Sequence, residues 1–406
     1  MASPTTTPSS SLIFLVLLAH AAPLAVAMLD PVDFLSLQAI RKSLHDTPGS
    51  NFFASWDFTS DPCGFPGVLC DSSSSSRVVS LSLGDPRASA PGLTGRLDPA
   101  LGNLSSLAEL AVVPGRIFGR IPQSLYRLRN LRFLAVGHNF LSGEIPADLG
   151  LLRNLRTLDL SYNRLTGLVP RAVGSLPSLS NLVLCHNQLS GPVPPFLSRT
   201  LTRIDLTHNE LSGPVPPTYL PLSLQYLSLS WNRLSGPVDR LLYRLGRLNY
   251  LDLSMNQFTG PIPGQVFGYP IKTLQLQRNA FSGLVRPARW VVIPTVDLSY
   301  NRLSGEIPPE FSTVRSLYLN SNRFTGQVPG SFVDRLLGSS IRVLYLQHNF
   351  LTGIEINPAA EIPATSSLCL QYNCMVPPVQ SPCPSTAGTQ KSRPTWQCRE
   401  WRRRRG

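Results

Sequence analysis

Cys185 and His186 are adjacent, and a thiol beside an imidazole could act as nucleophile and base. They follow the alternating run Leu182-Val-Leu184, however, and neighbours on a strand point to opposite sides, which makes them poor proton partners. A small buried side chain is the better reading of Cys185. Four carboxylates, Asp159, Asp205, Asp252 and Asp297, recur at one position of a repeating pattern. If that pattern stacks as parallel strands, they sit on alternate strands about 9–10 Å apart, too far to share a proton. The chain has no HExxH, GxSxG, phosphate-binding loop, GxGxxG or kinase signature. These observations predict no catalytic residue, no cofactor and no metal site. What remains is a chemistry of recognition. His138, Tyr162, His186, His208, Trp231, Met255, Arg278, Tyr300 and His348 each stand one residue before an asparagine. Phe133, Arg203, Tyr226, Tyr250, Gln275, Tyr318 and Tyr345 fall on outward positions of the strands. Tyr and Trp are strong binding anchors. The candidate partner-binding residues are therefore Phe133, Tyr162, Arg203, Tyr226, Trp231, Tyr250, Arg278, Tyr300, Tyr318 and Tyr345.

The element that positions these residues is a repeat. Among 406 residues are 66 leucines, 38 prolines and 29 glycines, too much proline for a helix bundle and enough apolar residues for a large core. Leu131-Arg-Phe-Leu-Ala-Val-Gly-His-Asn139-Phe-Leu-Ser-Gly-Glu-Ile-Pro146 aligns with Leu155-Arg-Thr-Leu-Asp-Leu-Ser-Tyr-Asn163-Arg-Leu-Thr-Gly-Leu-Val-Pro170. The shared pattern is LxxLxLxxNxLxGxIP. Its asparagines are Asn139, Asn163, Asn187, Asn209, Asn232, Asn256, Asn279, Asn301, Asn322 and Asn349, spaced 21 to 27 residues apart. Two degenerate units precede them, one with Gly115 at the Asn position and one around Leu81-Ser-Leu83, for about twelve repeats. The LxL core has period two, hence a short strand with leucines inward. An asparagine amide both donates and accepts, so it can satisfy backbone groups in the turn after the strand, coil after coil. Gly and Pro shape the return. The expected fold is an α/β-type repeat solenoid with a concave parallel sheet and cysteine-bearing caps.

The ends read differently. Residues 1–27 contain no charged side chain, hold an apolar run from Leu12 to Leu18, and end in Ala25-Val26-Ala27, the pattern of a secretory signal peptide. No later stretch is apolar enough to span a bilayer. Six of seven cysteines lie near the two ends, Cys63 and Cys70, then Cys369, Cys374, Cys383 and Cys398, as expected of an oxidising compartment. Cys63–Cys70 is the simplest first pair; the other four allow three pairings. Asn103-Leu-Ser105 is a glycosylation sequon. The expected segments are a signal peptide at 1–27, an N-terminal cap at 28–77, repeats at 78–366, a cysteine cap at 367–383 and a basic tail at 384–406. In the first cap, Asp30-Pro31-Val-Asp33 starts a helix with an apolar stripe of Leu35, Ile40 and Leu44.

Trp56, Asp61-Pro62-Cys63, Gly67-Val68-Leu69-Cys70 and LxGxIP units such as Leu141-Ser-Gly-Glu-Ile-Pro146 and Leu303-Ser-Gly-Glu-Ile-Pro308 resemble the plant-type extracellular leucine-rich repeat family over residues 29–383. Similar chains include ectodomains of receptor-like kinases, receptor-like proteins and polygalacturonase-inhibiting proteins. The resemblance implies a curved solenoid with a second sheet built from the LxGxIP segments. It also implies a secreted protein of extracellular signalling or defence.

Charge adds a restriction. The chain carries a net +13, of which residues 384–406 contribute +6. The concave positions mix Arg132, Arg156, Arg203, Lys272, Arg278, Arg315 and Arg342 with Glu109, Asp159, Asp205, Asp252 and Asp297. That is not a basic trough, and nucleic acid is not expected as a partner. The expected partner is a protein or peptide on the concave face, with a receptor kinase ectodomain or a secreted wall-degrading enzyme as the two partner classes. The basic surface could also hold the chain to acidic pectin in the cell wall.

Overall fold

Each repeat closes into one coil because its sequence changes character twice. The LxL triplet forms a three-residue strand, as in Tyr250–Asp252, where Leu251 is wholly buried. After the asparagine the chain forms a second strand, such as Arg233–Pro237, around Leu234. Ile-Pro then leads into a short helical return; Pro146 precedes the 3-10 turn Ala147–Leu151, and Leu149, Leu152 and Leu155 are fully buried. Proline suits this boundary because its fixed φ is compatible with entry into a helical turn and it has no N–H to satisfy. The LxG glycine is conformationally required: Gly167 has φ +77°, and a Cβ there would lie 2.8 Å from the Glu144 side chain.

The computed structural model describes residues 28–72, 75–84, 92–379 and 383–398. The expected signal peptide and residues 399–406 lie outside the described residues. Among those described, the LxL strands form one fourteen-stranded sheet and the LxGxIP strands a thirteen-stranded sheet. Successive strands run parallel and in register, Arg203, Tyr226 and Tyr250 forming one row and Asp205, Ser228 and Asp252 another. One apolar core runs the length of the stack between the sheets. Each sheet begins with an antiparallel cap strand, Val68–Cys70 against the first repeat strand and Leu44–Asp46 against Leu93–Arg96. No described helix is long and apolar enough to cross a membrane.

The asparagines bind consecutive coils together. Asn232 Nδ2 donates to Leu229 O (3.0 Å) and Ser230 O (3.1 Å) in its own turn and to Leu206 O (2.9 Å) in the preceding coil. Its Oδ1 accepts from Leu211 N of that preceding coil at 3.0 Å. Asn373, which lies beyond the ten asparagines of the sequence pattern, makes the same bonds: Nδ2 to Leu346 O (3.0 Å) and Leu370 O (2.9 Å), Oδ1 from Leu351 N (3.0 Å).

Both caps depart from expectation. Helix Pro31–Ser43 starts at Asp30, which accepts from Val32 N at 2.9 Å. Its inward stripe is Asp33, Leu37 and Ile40, whereas Leu35 is 63% exposed. The fully buried Asp33 carboxylate is accommodated because Arg77 donates to it from Nε (3.0 Å) and Nη2 (2.8 Å), and Val78 N donates at 2.9 Å. At the other end the disulfides are Cys369–Cys383 and Cys374–Cys398; Cys63–Cys70 closes the first cap. Residues 384–398, expected as tail, belong to the cap. The Arg393 guanidinium lies 4.1 Å from the Phe350 ring and 4.6 Å from the Tyr372 ring, and Arg393 N and Tyr372 N bond across to Asn373 O and Lys391 O. This strap satisfies backbone groups that a further coil would otherwise take.

Two substitutions test this account. Leu253→Ala should cost about 2–5 kcal/mol as an internal cavity. Asn232→Asp keeps the acceptor and loses all three donated bonds, and should cost about 3 kcal/mol or more. Urea melts in which either variant loses under about 1 kcal/mol would contradict it.

Candidate partner-binding face

The residue before each ladder asparagine adopts a left-handed backbone conformation: His138 (φ +56°), Tyr162 (+52°), His186 (+54°), His208 (+54°) and Trp231 (+54°) are examples. This is unfavourable for bulky side chains and requires compensation. The backbone supplies it, since His186 N donates to Thr207 O at 2.8 Å and Asn187 N to His208 O at 3.1 Å in the next coil. With one conformation repeated, the side chains leave every coil in the same direction. Their rings stack: His138–Tyr162 and Tyr162–His186 at 4.1 Å, His186–His208 at 4.4 Å, His208–Trp231 at 4.7 Å, all within 19° of parallel. Trp231 closes this rail and is 49% exposed.

A second rail stands on the outward strand positions. Arg203 lies 3.9 Å over the Tyr226 ring, and Tyr226 stacks on Tyr250 at 4.2 Å and 4°. Tyr226 Oη donates to Asp205 Oδ2 (3.3 Å) and Tyr250 Oη to Gln275 Oε1 (3.4 Å). Burial raises the pKa of both phenols above the ordinary tyrosine value.

Between the rails runs a polar trough. Asp205 and Asp252 were expected to face outward; they lie on the concave sheet but are 7% and 9% exposed, covered by the side chains around them. Asp205 is paired with Arg203 Nη2 at 3.2 Å, and Asp252 accepts from Ser254 N at 2.9 Å. Burial raises the Asp297 pKa, opposed by bonds from Ser299. Thr207 and Ser228 hydroxyls bond at 2.6 Å on the trough floor. Cys185 also lies here; burial first, then the charges of Asp205 and Asp159, pushes its thiol pKa up to about 12, so it is not a ready nucleophile. No group of three or more metal-ligating side chains is found among the described residues.

The structure thus brings together Arg203, Tyr226 and Tyr250 on one rail and Tyr162 and Trp231 on the other. Arg278 lies 4.4 Å over Tyr300, and Tyr318 meets Tyr345 edge-on at 5.4 Å, each pair nearer the C-terminal end. Phe133 is 38% exposed and has no ring partner among the described residues. Sequence reasoning did not find the hydroxyl floor or the separation of the ring positions into two rails. The ring types were visible; the left-handed turns that align them were not. Asn103 is exposed on a convex turn and accepts from Arg127 Nη1 at 3.4 Å.

A leucine-rich repeat N-terminal domain model matches residues 30–71. Leucine-rich repeat models match residues 129–189, 197–214, 223–245, 247–268, 295–314 and 313–334. With the stacked coils and the asparagine ladder, these matches show that the chain belongs to the leucine-rich repeat family. Among solved structures it is similar to the plant peptide hormone receptor RGFR1 in complex with RGF2, at 31% identity over 70% of this chain and 46% of that one, TM-score 0.62. It is also similar to the ectodomain of the Arabidopsis thaliana membrane receptor kinase GASSHO1/SCHENGEN3 in complex with CASPARIAN STRIP INTEGRITY FACTOR 2, at 28% identity over 79% and 44%, TM-score 0.64. The chain spans less than half the length of either receptor chain. A plant ice-binding protein matches at 27% identity over 82% of this chain and 98% of its own, TM-score 0.56. No curated protein sequence matches.

The His186 pKa is lowered, first by burial and then by the charge of His208. A lowered folded pKa means that the unfolded chain takes up the proton first. The stability this site contributes is therefore complete above the ordinary value of 6.5 and lost as pH falls through the folded pKa. Melting curves from pH 7 to 5 should show a steeper loss for the native chain than for His186→Gln; parallel losses would contradict the assignment.

Proposed function

We propose that this chain is a non-catalytic extracellular recognition module that captures an extended peptide, or an extended segment of a protein, along its concave face. The observation that carries the reading is the pair of ring rails flanking a polar trough, His138 to Trp231 on one side and Arg203, Tyr226 and Tyr250 on the other. The longer rail crosses five coils, about 20 Å, which matches roughly six extended residues. Rigid rings lose little entropy on binding, while the hydroxyls and carboxylates between them select for backbone and polar groups. A structurally similar plant peptide hormone receptor is described in complex with RGF2, and a similar receptor kinase ectodomain in complex with CASPARIAN STRIP INTEGRITY FACTOR 2, which supports a peptide ligand. Three disulfides support an oxidising, extracellular setting. A place in signalling or defence, shared with a receptor kinase ectodomain, follows from the same reading.

Affinity capture from extracellular fluid of plant tissue, with the bound peptides sequenced and resynthesised, supplies the ligand for the test. Trp231→Ala and Tyr250→Ala should each weaken its binding by about tenfold or more without lowering the melting temperature. Leu284→Ala, on the other sheet, should leave binding unchanged. Equal losses in all three would remove the concave assignment.

A further inference from the structure

We propose that the outer rim carries a second binding surface, a basic and aromatic patch that takes a linear carboxylated polysaccharide. The helix Asp239–Arg244 turns Leu241 and Leu242 inward, followed by Leu245 and Leu248, all at most 1% exposed. The complementary residues at helical spacing, Arg240, Tyr243 and Arg244, therefore share the outer side, and Arg247 follows in the turn just after the helix. All four are exposed, Tyr243 at 64%. Two coils further on, Arg289 and Trp290 are exposed as well, Trp290 at 56%. Arg289 is anchored to the coil between them, its Nη2 donating to Gly268 O at 2.9 Å, so the patch spans three consecutive coils.

None of these four guanidinium groups makes an ion pair among the described residues, and the one carboxylate in the helix is the half-buried Asp239 at its start. Two further facts select the partner. Every cation is arginine, whose planar fork matches a carboxylate in bidentate fashion. The two interspersed rings offer apolar surface to the C–H face of a sugar, as phosphate arrays do not require. The rim is also the outside of a curved stack. A flexible linear polymer can follow such a surface coil by coil, whereas a flat bilayer would touch only part of it. In the oxidising setting that three disulfides favour, the linear polyanions at hand are acidic polysaccharides.

The test measures binding of the full chain to immobilised polygalacturonate. Arg240→Glu/Arg244→Glu/Arg247→Glu should weaken binding about tenfold or more, and rising salt should weaken the native interaction. Tyr243→Ala/Trp290→Ala should weaken it about threefold at constant charge. Arg164→Glu/Arg302→Glu/Arg323→Glu makes the same charge change on the second sheet and should bind within about twofold of the native chain. Melting curves establish that each variant is folded. Equal loss in both charge variants would mean that only overall charge is read, and would overturn the patch. Tighter binding to phosphatidylserine vesicles or to a single-stranded oligonucleotide, lost in the same rim variant, would overturn the choice of ligand. Trp231→Ala should bind the polymer as the native chain does, so this result stands or falls apart from the concave reading.

Discussion

The asparagine amide that joins each coil to the one before it is the interaction on which the rest depends. A coil of some 22 to 24 residues must turn its backbone sharply just beneath a buried surface, leaving carbonyl and N–H groups that water cannot reach. Asn232 answers four of them at once, two in its own turn and two in the preceding coil. Because its partners come from both coils, it sets their separation as well as closing its own turn. A leucine core alone is non-directional and would tolerate sliding. The amides convert a greasy stack into one with a defined register, continued at the C-terminal end by Asn373 and then by the strap that ends at Cys398.

That register is what makes the surface usable. The amide requires its own residue at a fixed place in the turn, and the preceding residue is driven into the left-handed region in consequence. The strain is shared by every coil that carries a ladder asparagine and is repeated with one geometry. Side chains far apart in sequence, His138 and Trp231 among them, are thereby laid ring on ring. The same repetition places Arg203, Tyr226 and Tyr250 side by side. The trough between them stays polar because its buried carboxylates are compensated, Asp205 by Arg203 and Asp252 by the Ser254 backbone N–H. The two faces of the solenoid divide the chemistry: mixed charge and stacked rings on the concave side, and on the outer rim exposed rings with arginines that make no ion pair among the described residues. A rigid scaffold with different surfaces can hold different partners at the same time.

Much of this was legible in the chain, and the exceptions are instructive. The strand leucines and the LxGxIP return are local patterns, readable wherever the period holds. Asn373 escaped notice because Cys369 and Cys374 frame Leu368-Cys-Leu-Gln-Tyr-Asn373 and gave it the look of a cysteine cap. Leu35 was misplaced because an apolar residue at helical spacing looks like core; the inner position belongs to Asp33, made tolerable by Arg77, 44 residues away. The segment 384–398 reads as a polar tail, yet a disulfide, a guanidinium between two rings and several backbone bonds fold it onto the last coil.

The sequence by itself determined the repeat, its inward leucines, the spacing of its asparagines and the identity of the outward residues, since each follows from short-range periodicity. Only the tertiary structure decided which of those residues meet. Ring stacking, the pairing of Asp205 with Arg203, the burial of the trough carboxylates and the pairing of the terminal cysteines all join residues from different coils or across a cap. Their geometry depends on coil separation, backbone handedness and the curvature of the whole stack, and no local pattern carries those quantities.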